Sequence, residues 1–214
     1  SICHIARDHD LKQALETETC EVLASFVSAA KHIDALTDRD VSSKISMPMF
    51  DAVLHEVTRM YAILLSLREL VEPVTVHGYN LPQGRTVAIS SQLAMRNPLY
   101  FPNPDEFQPS RFYRRKGDDP PTQQQYYVGF GAGVHLCKGM ELARTEIKIA
   151  LCHIINYYQL EPYESEDDSG LPKLEWVSLG LAVPTSRVML KYKVRPGGAL
   201  SQTRFNMEHI TGEP

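Results

Sequence analysis

The chain is 214 residues long, 43% hydrophobic and 22% charged, enough apolar material for the core of an ordinary globular domain. Its formal net charge of −4 argues against a nucleic-acid binder, which carries a basic balance. No stretch approaches the roughly 20 consecutive apolar residues of a membrane span. Four cysteines (Cys3, Cys20, Cys137, Cys152) form no CxxC pair and no disulfide framework, which points to a reducing compartment. The opening Ser-Ile-Cys-His-Ile-Ala-Arg brings charge too soon for a secretory signal, and the missing initiator Met reads as a piece of something longer.

In chain order, residues 1–30 read as helix, with Ile2, Ile5, Leu11 and Leu15 on one face before an apolar run from Val22 to Ala30. Asp34 to Lys44 is a polar connector. Pro48 suits a first helical turn, where a missing N–H costs nothing. The helix it opens, Met49 to Leu65, carries an apolar stripe of Phe50, Val53, Leu54, Val57, Tyr61 and Leu64. Glu56 and Arg59 stand three apart on it and share a face; taken alone, such a pair is most simply a solvated surface pair.

Beyond Leu65 the period changes. Leu70–Val76 and Thr86–Ile89 read as short strands joined by a turn-rich Gly78–Gly84, and Leu93–Asn97 adds a helical turn. Asn97 to Pro109 holds Pro98, Pro102, Pro104 and Pro109, too many for regular structure; it reads as a meander, ordered only if the rest of the fold grips it. Lys116 to Gln125 is a polar surface loop. Met140 to Tyr157 reads as a long helix with Leu142, Ile147, Ala150, Leu151 and Ile154 inward. Glu164 to Gly170 is an acidic solvated loop. Val177–Val183 and Val188–Val194 alternate as paired strands across Pro184-Thr185-Ser186, and Pro196 to Pro214 reads as a loose tail.

Ahead of the long helix lies Phe130-Gly131-Ala132-Gly133-Val134-His135-Leu136-Cys137-Lys138-Gly139. Glycine serves where backbone must turn tightly or lie against something flat. A cysteine at the mouth of a helix sits near the positive end of the helix dipole, which suits an anionic sulfur ligand. For Cys137 alone a small buried hydrophobe is the plainer reading. A zinc set of His135, Cys137, Cys152 and His153 has unusual spacing, and a cysteine nucleophile would need a His and an acid that the sequence does not single out.

The pattern Phe-Gly-x-Gly-x-His-x-Cys-x-Gly resembles the haem-binding signature of the cytochrome P-450 family. Glu56, Arg59 and Arg111 resemble that family's Glu-x-x-Arg helix and the arginine of its following loop, where one carboxylate between two guanidiniums ties the meander to the core. The resemblance covers residues 1–195 as a partial domain, from the end of a distal helix through the cysteine helix to a C-terminal hairpin, with 196–214 a flexible tail. It implies an α+β, mostly helical fold and haem b, with Cys137 the iron ligand.

By position it further implies Phe130 packing by the sulfur, Gly131 and Gly139 in the cofactor loop, and His135 and Arg68 meeting haem propionates; each cation also has a plain solvated reading. Leu64–Leu67 and Leu179–Val183 match segments that line the family's substrate pocket, though buried core explains their apolar character equally well. Lys138, Arg144 and Lys148 could form a basic face for an acidic electron donor, with scattered solvated charges the plainer reading. The implied activity is a monooxygenase oxidising a lipophilic small molecule, such as a secondary metabolite or sterol-like compound, with O₂ and electrons from an NADPH-dependent reductase. The family's distal acid–alcohol pair has no counterpart here, so no catalytic residue is assigned, and a truncated, non-catalytic haem-binding chain is the alternative, with a zinc-binding module behind it. A cytoplasmic-face location, at the endoplasmic reticulum membrane in a longer parent, would depend on an anchor N-terminal to this chain.

Overall fold

The computed structural model describes residues 2–28, 47–62, 65–115, 117–162, 171, 174–177, 181–185 and 189–195. The expected connector at Asp34–Lys44, the acidic loop at Glu164–Gly170 and the tail lie outside these residues, as do Leu64 and Leu179. What is described is mostly helical with four small two-stranded antiparallel sheets, and it divides into two compact units.

The first unit takes in the described residues 47–141 and 174–185. Its helix Pro48–Tyr61 (α3, after α1 and α2 below) buries Phe50, Ala52, Val53, Leu54, Glu56, Arg59 and Met60. The buried face is therefore wider than the expected stripe and contains both charged residues of the Glu-x-x-Arg pair. The helix also stops four residues before the expected Leu65, at an extended Ala62 whose N–H donates to the Thr58 carbonyl. Leu65–Glu69 is instead strand β1, paired with β4 (Thr86–Ser90) from Leu65↔Ser90 to Glu69↔Thr86. Pairing with a strand some twenty residues on overrides the helix preference of the leucines, which local periodicity cannot report.

Between them β2 (Val74–Val76) and β3 (Tyr79–Leu81) form a hairpin across His77 and Gly78, both at positive φ (47° and 84°). That is the two-residue turn whose twist matches the strands. The expected Leu70–Val76 strand thus shrinks to its last three residues, and the expected turn segment contains a strand. A short helix follows, Ser91–Met95 (α4), capped by the Ser90 hydroxyl, which accepts from the Leu93 N–H at 3.4 Å. Ala52, Met95, Phe101 and Phe112 form the core under the meander. Strands β6 (Leu174–Val177) and β7 (Leu181–Pro184) pair with each other.

The second unit takes in residues 2–28, 142–162, 171 and 189–195. The single helix expected over 1–30 is broken into α1 (Ile2–Arg7) and α2 (His9–Ser28). Asp8 makes the break: its carboxylate accepts from the Leu11 N–H at 2.9 Å while its carbonyl accepts from Lys12, the signature of an N-cap. The long helix is Met140–Tyr157 (α5), as the periodicity predicts, but its inward face is different. Thr145, Lys148, Leu151, Cys152 and Ile155 are buried, whereas Leu142 and Ile147 are 60% and 41% exposed. Two polar members hide the phase of this stripe from a hydrophobicity count. Burial also removes Lys148 from any exposed basic face.

The terminal strand pairing is corrected as well. Strand β8 (Leu190–Val194) pairs with β5 (Tyr158–Pro162), which continues directly from α5, and not with the 181–184 strand. Alternation marks a strand but does not choose its partner. Arg195 fixes this sheet by donating to the Tyr158 carbonyl at 3.3 Å and by pairing with Glu16 on α2.

Burial, with the charge of Arg7 as a lesser cause, pushes the His4 imidazole down from 6.5 to about 4. The unfolded chain takes up this proton more readily than the folded one. The group's contribution to stability is therefore intact above pH 6.5 and is lost as pH falls toward 4. The urea midpoint is expected to drop across that window. His4→Gln should flatten the drop; an unchanged slope in the variant would assign it to other groups.

Candidate functional site

Glu56 and Arg59 are fully buried, and Arg111 is 8% exposed. Arg59 Nε donates to Glu56 Oε2 at 2.8 Å and Nη2 to Oε1 at 2.9 Å, a two-pronged clamp within one helical turn. Its remaining donors reach backbone: Nη1 to the carbonyls of Met95 (3.0 Å) and Pro104 (2.8 Å), and Nη2 to that of Glu106 (3.3 Å). All five guanidinium N–H groups are thereby used. Arg111 Nε reaches Glu56 Oε1 at 3.3 Å, and its Nη2 donates to the Asn103 carbonyl at 2.8 Å. Glu56 Oε1 also accepts from the Gln108 N–H at 2.9 Å.

The structure thus brings these three residues together, and it grips the meander by its own carbonyls and one N–H. The solvated-pair reading of Glu56 and Arg59 does not hold. The Gln108 N–H on the carboxylate was not foreseeable from the sequence, because a backbone donor carries no residue signal.

The cysteine loop follows. Gly131 (φ 84°) and Gly133 (φ 61°) occupy the left-handed region, where a side chain would be strained. A short 3-10 turn, Gly133–His135, leads to Leu136, whose N–H donates to the Gly133 carbonyl at 3.1 Å. The Cys137 N–H donates to the Phe130 carbonyl at 2.9 Å, closing the loop on itself, and the Cys137 carbonyl accepts from Met140 at 3.3 Å at the start of α5. Cys137 is exposed and Phe130 half-buried. A Cβ on Gly139 would lie 4.0 Å from the Cys137 sulfur, an ordinary contact.

A cavity of about 700 Å³ opens between β1, β4, α4 and this loop. Arg68 and His135 both line it, with Gly131 and the apolar Leu67, Ile89, Ala94, Val128 and Ala132. Its size falls in the range of ligand sites, roughly 300–1,000 Å³. The cysteine side chain stands outside that lining, on the loop that forms its wall. Arg68 is half-buried and donates to its neighbouring Leu67 carbonyl at 2.7 Å; His135 is exposed. Ser66, within the expected Leu64–Leu67 segment, also lines the cavity. Ile89, Ser90 and Ser91 line it too and were missed, because the strand at Thr86–Ile89 carried no signal of the β1 partner that turns it toward this space.

Among the described residues no three or more His, Cys, Asp or Glu side chains form a metal-holding group. Cys152 is buried, and burial pushes its thiol up to about 12 against the opposing pull of a Thr19 hydrogen bond. Iodoacetamide at about pH 8 is expected to modify exposed Cys20 and Cys137 and to spare Cys152 until the chain is denatured. Peptide mapping reads this out, and early labelling of Cys152 would contradict its burial. Among the described residues no helix is long and apolar enough to cross a membrane.

The family model described as Cytochrome P450 matches residues 1–192. Among curated proteins the chain is 31% identical over 206 residues to Cytochrome P450 3A19 of Capra hircus aegagrus, covering 95% of this chain and 87% of that one. It is 28% identical over 194 residues to the mitochondrial Cytochrome P450 11B1 of Rattus norvegicus, covering 90% of this chain and 34% of that one. It is 34% identical over 154 residues to Abscisic acid 8'-hydroxylase 4 of Arabidopsis thaliana, covering 72% of this chain and 31% of that one. The chain therefore spans only about a third of the length of the last two.

Proposed function

Because the chain belongs to the cytochrome P450 family, a haem-dependent family of monooxygenases, we propose that it holds haem b through Cys137 and serves the oxidation of a lipophilic small molecule. The observation that carries this reading is the convergence of Arg68, His135 and Gly131 on one cavity whose wall is the cysteine loop.

The donor set suits the cofactor: a cation and an imidazole for two carboxylate groups, apolar side chains for a flat macrocycle, and an exposed sulfur for iron. When bound, haem supplies activation of O₂ and transfer of one oxygen atom, with electrons from a reductase such as an NADPH-dependent one. The chain's own part is binding, orientation and exclusion of water. Cys137 would supply the sulfur that holds the metal. The Phe130 carbonyl holds the cysteine backbone, while Phe130 packs near the sulfur and Gly131 and Gly139 keep the approach free of side chains. Arg68 and His135 would bind the cofactor's carboxylates, and Leu67 and Ile89 would keep the cavity apolar for a lipophilic substrate. Glu56, Arg59 and Arg111 hold the meander to helix α3.

The test is titration of the purified chain with haem, followed by reduction under carbon monoxide. Stoichiometric uptake and the red-shifted Soret band of thiolate-bound iron are expected; no uptake overturns the reading. Adding NADPH, a reductase and candidate lipophilic substrates then asks for a product one oxygen atom heavier, which separates turnover from binding alone.

A further inference from the structure

Helix α3 holds the meander with Glu56 and Arg59, and a neighbouring face of the same helix holds the entrance to the cysteine loop. His55 donates from Nδ1 to the Asp51 carbonyl at 2.7 Å and stacks on Phe112 (centroids 5.3 Å, 27° between planes). The Tyr127 ring meets both edge-on, 4.8 Å from His55 and 5.5 Å from Phe112. Thr58 donates its hydroxyl to the Leu54 carbonyl at 2.6 Å, which sets its rotamer and so the direction of its methyl group.

Gly129 lies buried against these two side chains. A Cβ there would run into the Tyr127 hydroxyl oxygen and would meet the Thr58 Cγ2 and the Tyr127 Cζ at 2.6 Å each. All are far inside the roughly 3.5–4.0 Å of an ordinary carbon contact. Neither neighbour is a free end, since the Tyr127 ring is packed edge-on against the stacked His55 and Phe112 and the Thr58 hydroxyl is bonded. The backbone would have to give. The next residue is Phe130, whose carbonyl accepts the Cys137 N–H, and Gly129 also bridges to Gly131. A shift at Gly129 therefore passes to the sulfur by two bonded steps.

We propose that Gly129 is a positioning residue for Cys137: its missing side chain lets the loop seat directly on Thr58 and Tyr127, and that seat sets where the sulfur stands. Only the spectroscopic part of the test rests on the haem reading above.

The experiment uses the full chain carrying Cys3→Ser and Cys20→Ser, so that Cys137 is the one exposed thiol. Gly129→Ala is expected to change the alkylation rate of Cys137 by roughly threefold or more, as sites held to about half an ångström tolerate little displacement. In haem-loaded protein the same change should move a comparable share of the ferrous carbon-monoxide spectrum out of the thiolate form. Thr58→Ser with Tyr127→Leu removes the methyl and the phenol from the place of the Cβ. Adding Gly129→Ala to that pair is expected to leave rate and spectrum within about 1.5-fold of the pair alone, the sign of coupled neighbours.

A Gly129→Ala protein that is only less stable, with the Cys137 rate and spectrum of its folded fraction unchanged, overturns the proposal. An undiminished effect in the relieved background does so too. Should Gly129→Ala not fold, the combined variant decides: recovery supports the proposal and continued failure overturns it. If the parent chain takes up no haem, the proposed function falls, while the alkylation rates still decide this one.

Discussion

Cys137→Ala is expected to abolish the red-shifted Soret band of the reduced, carbon-monoxide-bound protein while leaving the fold intact. The two halves of this expectation come from different observations. The loop is closed by backbone bonds, Cys137 N–H to Phe130 carbonyl and Met140 N–H to Cys137 carbonyl, which alanine retains. The side chain is exposed, so its loss should cost no more than about 0.5 kcal/mol of stability. The spectrum, by contrast, requires the sulfur. Cys20→Ser, which changes another exposed thiol, should leave it untouched. A band of wild-type position in Cys137→Ala would remove the proposed ligand, and a large fall in unfolding midpoint would show that the cysteine belongs to the core after all.

Glu56→Ala is expected to cost about 3–5 kcal/mol, the loss typical when one partner of a buried ion pair is removed. The reason lies in what remains. Arg59 is fully buried with two of its five donors aimed at the deleted carboxylate, and Arg111 loses its ionic contact as well. The Gln108 N–H loses its acceptor in the same step. Two buried cations without an anion take a large share of a total stability that is generally about 5–15 kcal/mol.

Glu56→Gln should be milder, because the amide oxygen can still accept at one position while its NH₂ faces a guanidinium donor. Arg59→Lys should be severe, since an ammonium has three donors where the site uses five. Urea denaturation followed by circular dichroism ranks the three. A Glu56→Ala cost below about 1 kcal/mol would mean that the pair behaves as an exposed one.

Much of the organisation was legible from residues alone. The long helix Met140–Tyr157 was visible in its period, and the glycine-rich loop before it in its residue types, because both are local: a helix repeats every few residues, and glycine takes the φ values found at Gly131 and Gly133 most readily. The meander was visible in its prolines. The spacing of Glu56 and Arg59 placed them on one face.

Whether that face was wet or dry was decided by the tertiary structure. The same is true of the strand at Leu65–Glu69, the pairing of β8 with β5, and the inward phase of α5 through Thr145 and Lys148. Each depends on a partner far along the chain, which fills the hydrogen-bonding or apolar demand that local pattern leaves open. The sequence by itself determined which residues can serve the site: a cysteine among glycines, a carboxylate and two arginines. Only the folded chain decided that Arg68 and His135 line one cavity and that Gly129 has no room for a side chain, because distance in space is set by packing and not by position in the chain.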